Sequence, residues 1–101
     1  MMVELSVLPV GQDEKIGKYV AEVVRIIDQS GLEYRLTPMG TVITGDWDEV
    51  MPVIKSCHEK IKEMTDRVIT KIRIDDERGG NGDFDSTLQT VEKILGKSVN
   101  K

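Results

Sequence analysis

The run from Pro38 to Met51, PMGTVITGDWDEVM, constrains this chain most, because it holds a tight turn, a strand and the start of a helix in one stretch. Gly40 supplies a residue that can take positive φ. Thr41 to Thr44 are β-branched, the residue types that fit a pleated, half-buried surface, and Gly45 ends the strand. Asp46 or Asp48 can accept hydrogen bonds from the free amides of a first helical turn, and the charges of Asp48 and Glu49 complement its positive dipole end. A strand therefore runs almost directly into a helix, and the flanks can be read against that junction.

On the N-terminal side, Val3, Leu5 and Val7 alternate with Glu4, Ser6 and Leu8, the period of a strand with one buried face. Pro9 has no amide for a ladder, so pairing is expected to stop there or become one-sided. Gly11, Gln12 and Asp13 turn the chain, with Asp13 a candidate N-cap. From Lys15 to Ser30 the apolar residues Ile16, Tyr19, Val20, Val23, Val24 and Ile27 recur at three- and four-residue steps, which predicts a helix ended by Ser30-Gly31. Glu33 to Thr37 alternates again and is joined by Pro38 to Gly40 to the central strand closely enough for an antiparallel hairpin.

The second helix is predicted from about Trp47 to Thr65, with a stripe of Val50, Val53 or Ile54, Cys57, Ile61 and Met64 and with Pro52 in or just after its first turn. Val68 to Ile74 reads as a strong strand with Val68, Thr70, Ile72 and Ile74 on one side and Ile69, Lys71 and Arg73 on the other. The segment from Asp75 to Asp83 is charged and glycine-rich, the stretch expected to be most mobile. A last helix, about Ser86 to Leu95, has Asp85 or Ser86 as cap, Leu88, Val91 and Leu95 expected to face inward, and Gly96 as its stop.

The order is βαββαβ with an extra C-terminal helix. Right-handed β-α-β passages put both main helices on one face of a four-stranded antiparallel sheet, an α+β, ferredoxin-like arrangement in one domain spanning residues 1–101. The other sheet face is left uncovered. It carries Glu4, Ser6, Leu8, Ile69, Lys71 and Arg73, too mixed for simple solvation and too polar for core, the kind of surface that meets another subunit or a ligand.

Composition removes several classes of function. With 101 residues the chain suits one core. No apolar run approaches the roughly 18 residues that span a bilayer. The N-terminal residues have neither a basic leader nor an apolar signal core, so a cytoplasmic location is the expectation. The net charge of −4 and only four aromatic residues disfavour nucleic acid. Cys57 is the only cysteine, so it reads as a small buried hydrophobe.

Chemistry has few candidates. Asp75, Asp76 and Glu77 are carboxylates, but successive residues of an extended chain alternate sides and do not converge on a metal. A solvated strand end, with Arg73 or Arg78 as ion-pair partner, is the favoured reading. Gly79, Gly80 and Gly82 lack the Lys and hydroxyl that complete a phosphate loop, and Asp83 follows them instead. Cys57 and His58 are neighbours on a helix and diverge by about 100°, so they form no dyad. His58 reads as a partly buried packing residue, with a ligand hydrogen bond as the alternative. Ser6, Thr37, Thr41 and Thr44 are strand hydroxyls that can orient a small polar molecule, although threonine is also simply a good strand former. No serine has a base and an orienting acid at recognisable spacing, so no catalytic residue, metal or cofactor is expected.

Met39-Gly40-Thr41, Gly45-Asp46 with Asp48-Glu49-Val50-Met51, Cys57-His58-Glu59 and Ile72-Arg73-Ile74-Asp75-Asp76 together resemble the small YkoF-related, thiamine-binding family formerly catalogued as uncharacterised. The similarity runs from Val3 through Leu95. It departs from the family pattern at Thr44, where an acid is common, and at Glu77, where a base is common. The resemblance implies a ferredoxin-like fold, dimers and tetramers formed through the sheets, and non-catalytic binding of thiamine or its hydroxymethylpyrimidine part. In kind, Glu4 suits the fixed positive charge of thiamine, Ser6, Thr37, Thr41 and Thr44 suit its polar edge, and Arg73 is a charge partner or interface residue. The alternative is a structural or regulatory homo-oligomer with no small-molecule ligand, whose Leu8 and Ile69 pack on their own copy.

Overall fold

The computed structural model describes residues 1–11, 16–80 and 83–101. Asp13, expected to cap the first helix, and residues 81 and 82 of the glycine-rich loop lie outside the described residues. The elements are β1 (Met2–Pro9), α1 (Ile16–Gln29), β2 (Tyr34–Thr37), β3 (Gly40–Thr44), α2 (Trp47–Met64), β4 (Val68–Asp75) and α3 (Ser86–Leu95). The sheet order is β2-β3-β1-β4 and every neighbouring pair is antiparallel, which is the ferredoxin-like arrangement.

The register shows which residues share a face. Tyr34, Ile43, Val3 and Ile74 form one row across the sheet, and Leu36, Thr41, Leu5 and Ile72 form the next. These rows face the helices. Val3, Leu5, Val7 and Ile43 pack there with Tyr19, Val23 and Ile27 of α1 and Val50, Ile54, Cys57 and Ile61 of α2, forming the core. The α2 stripe thus runs through Ile54 rather than Val53. Fully burying one such aliphatic side chain contributes roughly 1.5–3 kcal/mol. The core is almost wholly aliphatic because most of the few aromatic rings lie outside it, Trp47 being 55% exposed.

Local signals explain the element ends. The Asp46 N–H donates to the Glu49 carboxylate at 3.0 Å, so the acid three residues into α2 satisfies a donor at its start. Pro52 is the sixth residue of α2, just past the first turn, and Ser56 Oγ donates to its carbonyl at 3.1 Å. Gly40 has φ +152°, and a Cβ there would lie 2.8 Å from the Leu5 carbonyl oxygen, so the hairpin turn is pressed against β1 in a way that only glycine allows.

Pairing along β1 is asymmetric. Against β4 it runs from Met2↔Asp75 to Pro9↔Val68, but against β3 it ends at Leu5↔Thr41. Met1 and Gly45 exchange both backbone bonds, at 3.1 and 3.2 Å, so odd-numbered residues of β1 direct their N–H and C=O toward β3. Even-numbered ones serve β4, a pattern continued by Val10 N–H donating to Arg67 O at 2.9 Å. Pro9 is odd, so its missing amide subtracts nothing from the β4 ladder. The expectation of one-sided pairing at Pro9 holds, and one-sidedness in fact begins at Ser6. The result is a notch in the sheet beside the Pro38-Met39 turn.

The C-terminal helix departs from expectation. Leu88, Val91 and Leu95 were expected to face the core, yet α3 buries no residue: Leu95 is 57% exposed and Ile94 79%. The helix makes no extended packing against any strand or helix of its own chain. The radius of gyration, 15.2 Å, accordingly exceeds the roughly 13 Å of a compact chain of this length. Ile72 and Ile74, on the helix side of the edge strand β4, are left 41% and 37% exposed.

Candidate ligand site

On the open face the register aligns Arg35, Val42, Glu4 and Arg73 in one row, with Thr44, Met2 and Asp75 in the row on one side. Glu4 and Arg73 form an ion pair at 3.7 Å, although the Arg73 side chain is 84% exposed. Arg73 therefore turns to Glu4 rather than to Asp75 or Asp76. The face is not wholly bare. Arg35 Nη2 donates to the Asp85 carboxylate at 2.8 Å and its guanidinium lies 5.0 Å over the Phe84 ring, so the chain leading into α3 is tied to the β2 end.

At the opposite end of the sheet a cavity of about 240 Å³ lies between the start of α1, the second half of β1 and the β2–β3 hairpin. Its walls are apolar, with Leu5, Val7, Val20, Val23, Leu36 and Met39 among them, and no charged side chain is among the described residues that line it. Ser6, Leu8, Pro38 and Met39 line both this cavity and an open depression on the sheet face that also holds Glu4, Lys71 and Arg73. The two hollows meet at the notch, because no strand closes that side of β1 beyond Leu5.

The residues expected at the site divide accordingly. Glu4 and Arg73 lie on the open face, and Ser6 lies where face and cavity meet. Thr37 borders the cavity, but its Oγ1 donates to the Gly40 carbonyl at 2.8 Å and accepts from the Met39 N–H at 3.2 Å, so its hydroxyl serves the turn. Thr41 points to the helix side and is only 3% exposed. Its hydroxyl has no hydrogen-bond partner among the described residues, where no fully enclosed side-chain oxygen or nitrogen lacks one, so the Thr41 oxygen is not fully enclosed, and Thr41 lines the cavity. Thr44 borders neither hollow.

His58 is accounted for within the fold: its Nδ1 shares a hydrogen bond of 2.6 Å with Thr70 Oγ1 on β4. Cys57 Sγ–H donates to the Val23 carbonyl at 3.7 Å, and burial pushes its thiol up to about 11, which makes it a poor nucleophile. No cluster of potential metal ligands occurs among the described residues, and no helix among them is long and apolar enough to cross a membrane. The one-sided pairing of β1 that opens the notch had one signal in the sequence, Pro9 in a strand.

A four-stranded antiparallel sheet dressed by helices on one face, with a hollow at the end of its hairpin, defines a class of compact α+β, ferredoxin-like domains. The chain belongs to the thiamine-binding protein family, whose model matches residues 3–92. It is 35% identical over 105 residues to a UPF0045 protein of Staphylococcus xylosus, covering 98% of each chain. To the UPF0045 protein YqgV of Bacillus subtilis it is 33% identical over 98 residues, covering 91% of this chain and 94% of that one. Among solved structures, a hypothetical protein of Methanocaldococcus jannaschii superimposes with a TM-score of 0.83 at 26% identity, over 91% of this chain and 95% of that one. A Thermotoga maritima protein provisionally described as one of thiamine biosynthesis or salvage shares the fold, with a TM-score of 0.80 at 20% identity over 89% and 96% of the two chains.

Proposed function

We propose that this protein is a non-catalytic binder of thiamine or its hydroxymethylpyrimidine moiety, with the ligand at the hairpin end of the open sheet face, beside a subunit interface. The observation that carries this reading is the meeting of two unlike environments at the notch: a cavity with no charged side chain among its described lining residues on one side and the Glu4 carboxylate on the other. Thiamine has the matching halves, a neutral aromatic pyrimidine and a thiazolium with a fixed positive charge. The cation suits an exposed carboxylate and would be left unpaired in the cavity. Membership of the thiamine-binding family supports the same ligand. The proposed contacts are Glu4 for the cation, Ser6 and Thr41 along the hairpin end, with Thr37 holding the turn beside them, and Arg73 as the partner that Glu4 exchanges for ligand. Thr44 would contribute only from a neighbouring position on the face.

The subunit interface is proposed on the open sheet face, where Leu8 and Ile69 stay exposed near the notch, with the unpacked α3 as further apolar surface that a second copy can cover. Isothermal titration with thiamine and with 4-amino-5-hydroxymethyl-2-methylpyrimidine tests the ligand. Saturable heat is expected from both, and Glu4→Gln should weaken thiamine several-fold more than the uncharged pyrimidine. No heat at millimolar concentration from either compound refutes the reading.

A further inference from the structure

We infer that the notch reads the amino edge of a neutral, single-ring heteroaromatic ligand through the backbone of Val7, with the Thr41 hydroxyl as a third polar contact. This rests on the proposed pyrimidine-binding role and names the groups that perform it. Val7 is odd-numbered in β1, so its N–H and C=O both point to the side where β3 would lie, but β3 pairing has ended two residues earlier, at Leu5↔Thr41. Past Leu5 no strand pairs with that side of β1, and no turn, loop or side-chain hydrogen bond among the described residues reaches either group. Val7 is 3% exposed, and it lines the cavity. An enclosed donor and acceptor held side by side by one extended residue leave unmade bonds of the kind that folded chains almost always satisfy.

A strand normally fills such a pair. Here the Gly40 turn, pressed on the Leu5 carbonyl, ends β3 too early to do so. A planar ring with an amino group next to a ring nitrogen fits instead: the amino N–H donates to the Val7 carbonyl and the ring nitrogen accepts from the Val7 N–H. Size and polarity limit the occupant further. An apolar cavity of about 150 Å³ is enough to admit a benzene ring, so about 240 Å³ has room for one substituted ring. The absence of charge among the described lining residues selects a neutral ring. A two-ring ligand must therefore leave its cationic ring outside, over Ser6 and toward Glu4.

The test is ¹H–¹⁵N NMR of the full-length protein titrated with 4-amino-5-hydroxymethyl-2-methylpyrimidine and with its 4-oxo analogue, whose N3–H and O4 reverse the donor and acceptor order. The Val7 amide should move downfield with the amino compound. The oxo compound should bind at least about a hundredfold more weakly, since both bonds become mismatched. Thr41→Val, close in shape, should weaken the amino compound about fivefold while leaving the spectrum of the free protein otherwise in place. Binding that moves the signals of Glu4 and Arg73 but leaves the Val7 amide unmoved overturns the inference and leaves the wider thiamine reading standing. Equal affinity for the amino and oxo compounds overturns it as well. No shift with either pyrimidine or with thiamine removes both.

Discussion

Replacing Gly40 with alanine tests whether the hairpin turn is clamped onto the central strand, the feature that creates the notch. Two costs follow from the geometry. At φ +152° an L-residue is strained, which costs about 1–3 kcal/mol. The added Cβ would also sit 2.8 Å from the Leu5 carbonyl oxygen, a backbone atom of a strand paired on both sides, so relief requires moving β1 or the turn, another roughly 1–3 kcal/mol. The sum, about 2–6 kcal/mol, is a large part of the roughly 5–15 kcal/mol that holds a domain folded. Urea unfolding followed by circular dichroism should show the midpoint falling by more than about 1 M. Gly17→Ala is the matched control: it lies in α1, where no atom of the described residues outside its own stretch of helix comes within 4 Å of the new methyl group. It should raise stability by about 0.5 kcal/mol through helix propensity. A Gly40→Ala protein within about 0.5 kcal/mol of the parent would refute the clamp, as would a loss of equal size at Gly17.

Three further outcomes follow from other contacts. The buried Cys57 thiol titrates near 11 in the folded chain against an ordinary 9.0, so above pH 9 the unfolded chain loses its proton first and binds fewer protons. Stability should therefore fall as pH rises from about 9 to 11, by up to roughly 2–3 kcal/mol, and a Cys57→Ala protein should lack that component when the two pH profiles are subtracted. Arg35→Ala removes the Asp85 pair and the contact with Phe84, both partly exposed. Global stability should change by less than about 1 kcal/mol, while hydrogen exchange in residues 84–95 speeds up. Light scattering on the parent protein should give a multiple of 11.3 kDa, and Leu95→Glu on the unpacked face of α3 should shift it toward a single chain.

By itself the sequence determined the elements and the fold class, because those depend on local period and turn chemistry. Alternation in residues 3–7, the three- and four-residue spacing of Tyr19, Val23 and Ile27, and the Gly45-Asp46 junction each state their conformation within a few residues. The stripe of α3 was equally legible as a helix, but amphipathicity says only that a face wants covering and not that its own chain will cover it. The outward position of Glu4 and Arg73 was likewise legible in their alternation, but only the tertiary structure showed that α3 projects, that Thr41 turns inward, and that the hairpin stops short of Val7. Such facts depend on register between strands that lie far apart in the chain. Pairing register sets which backbone groups are left over, and no residue type records it.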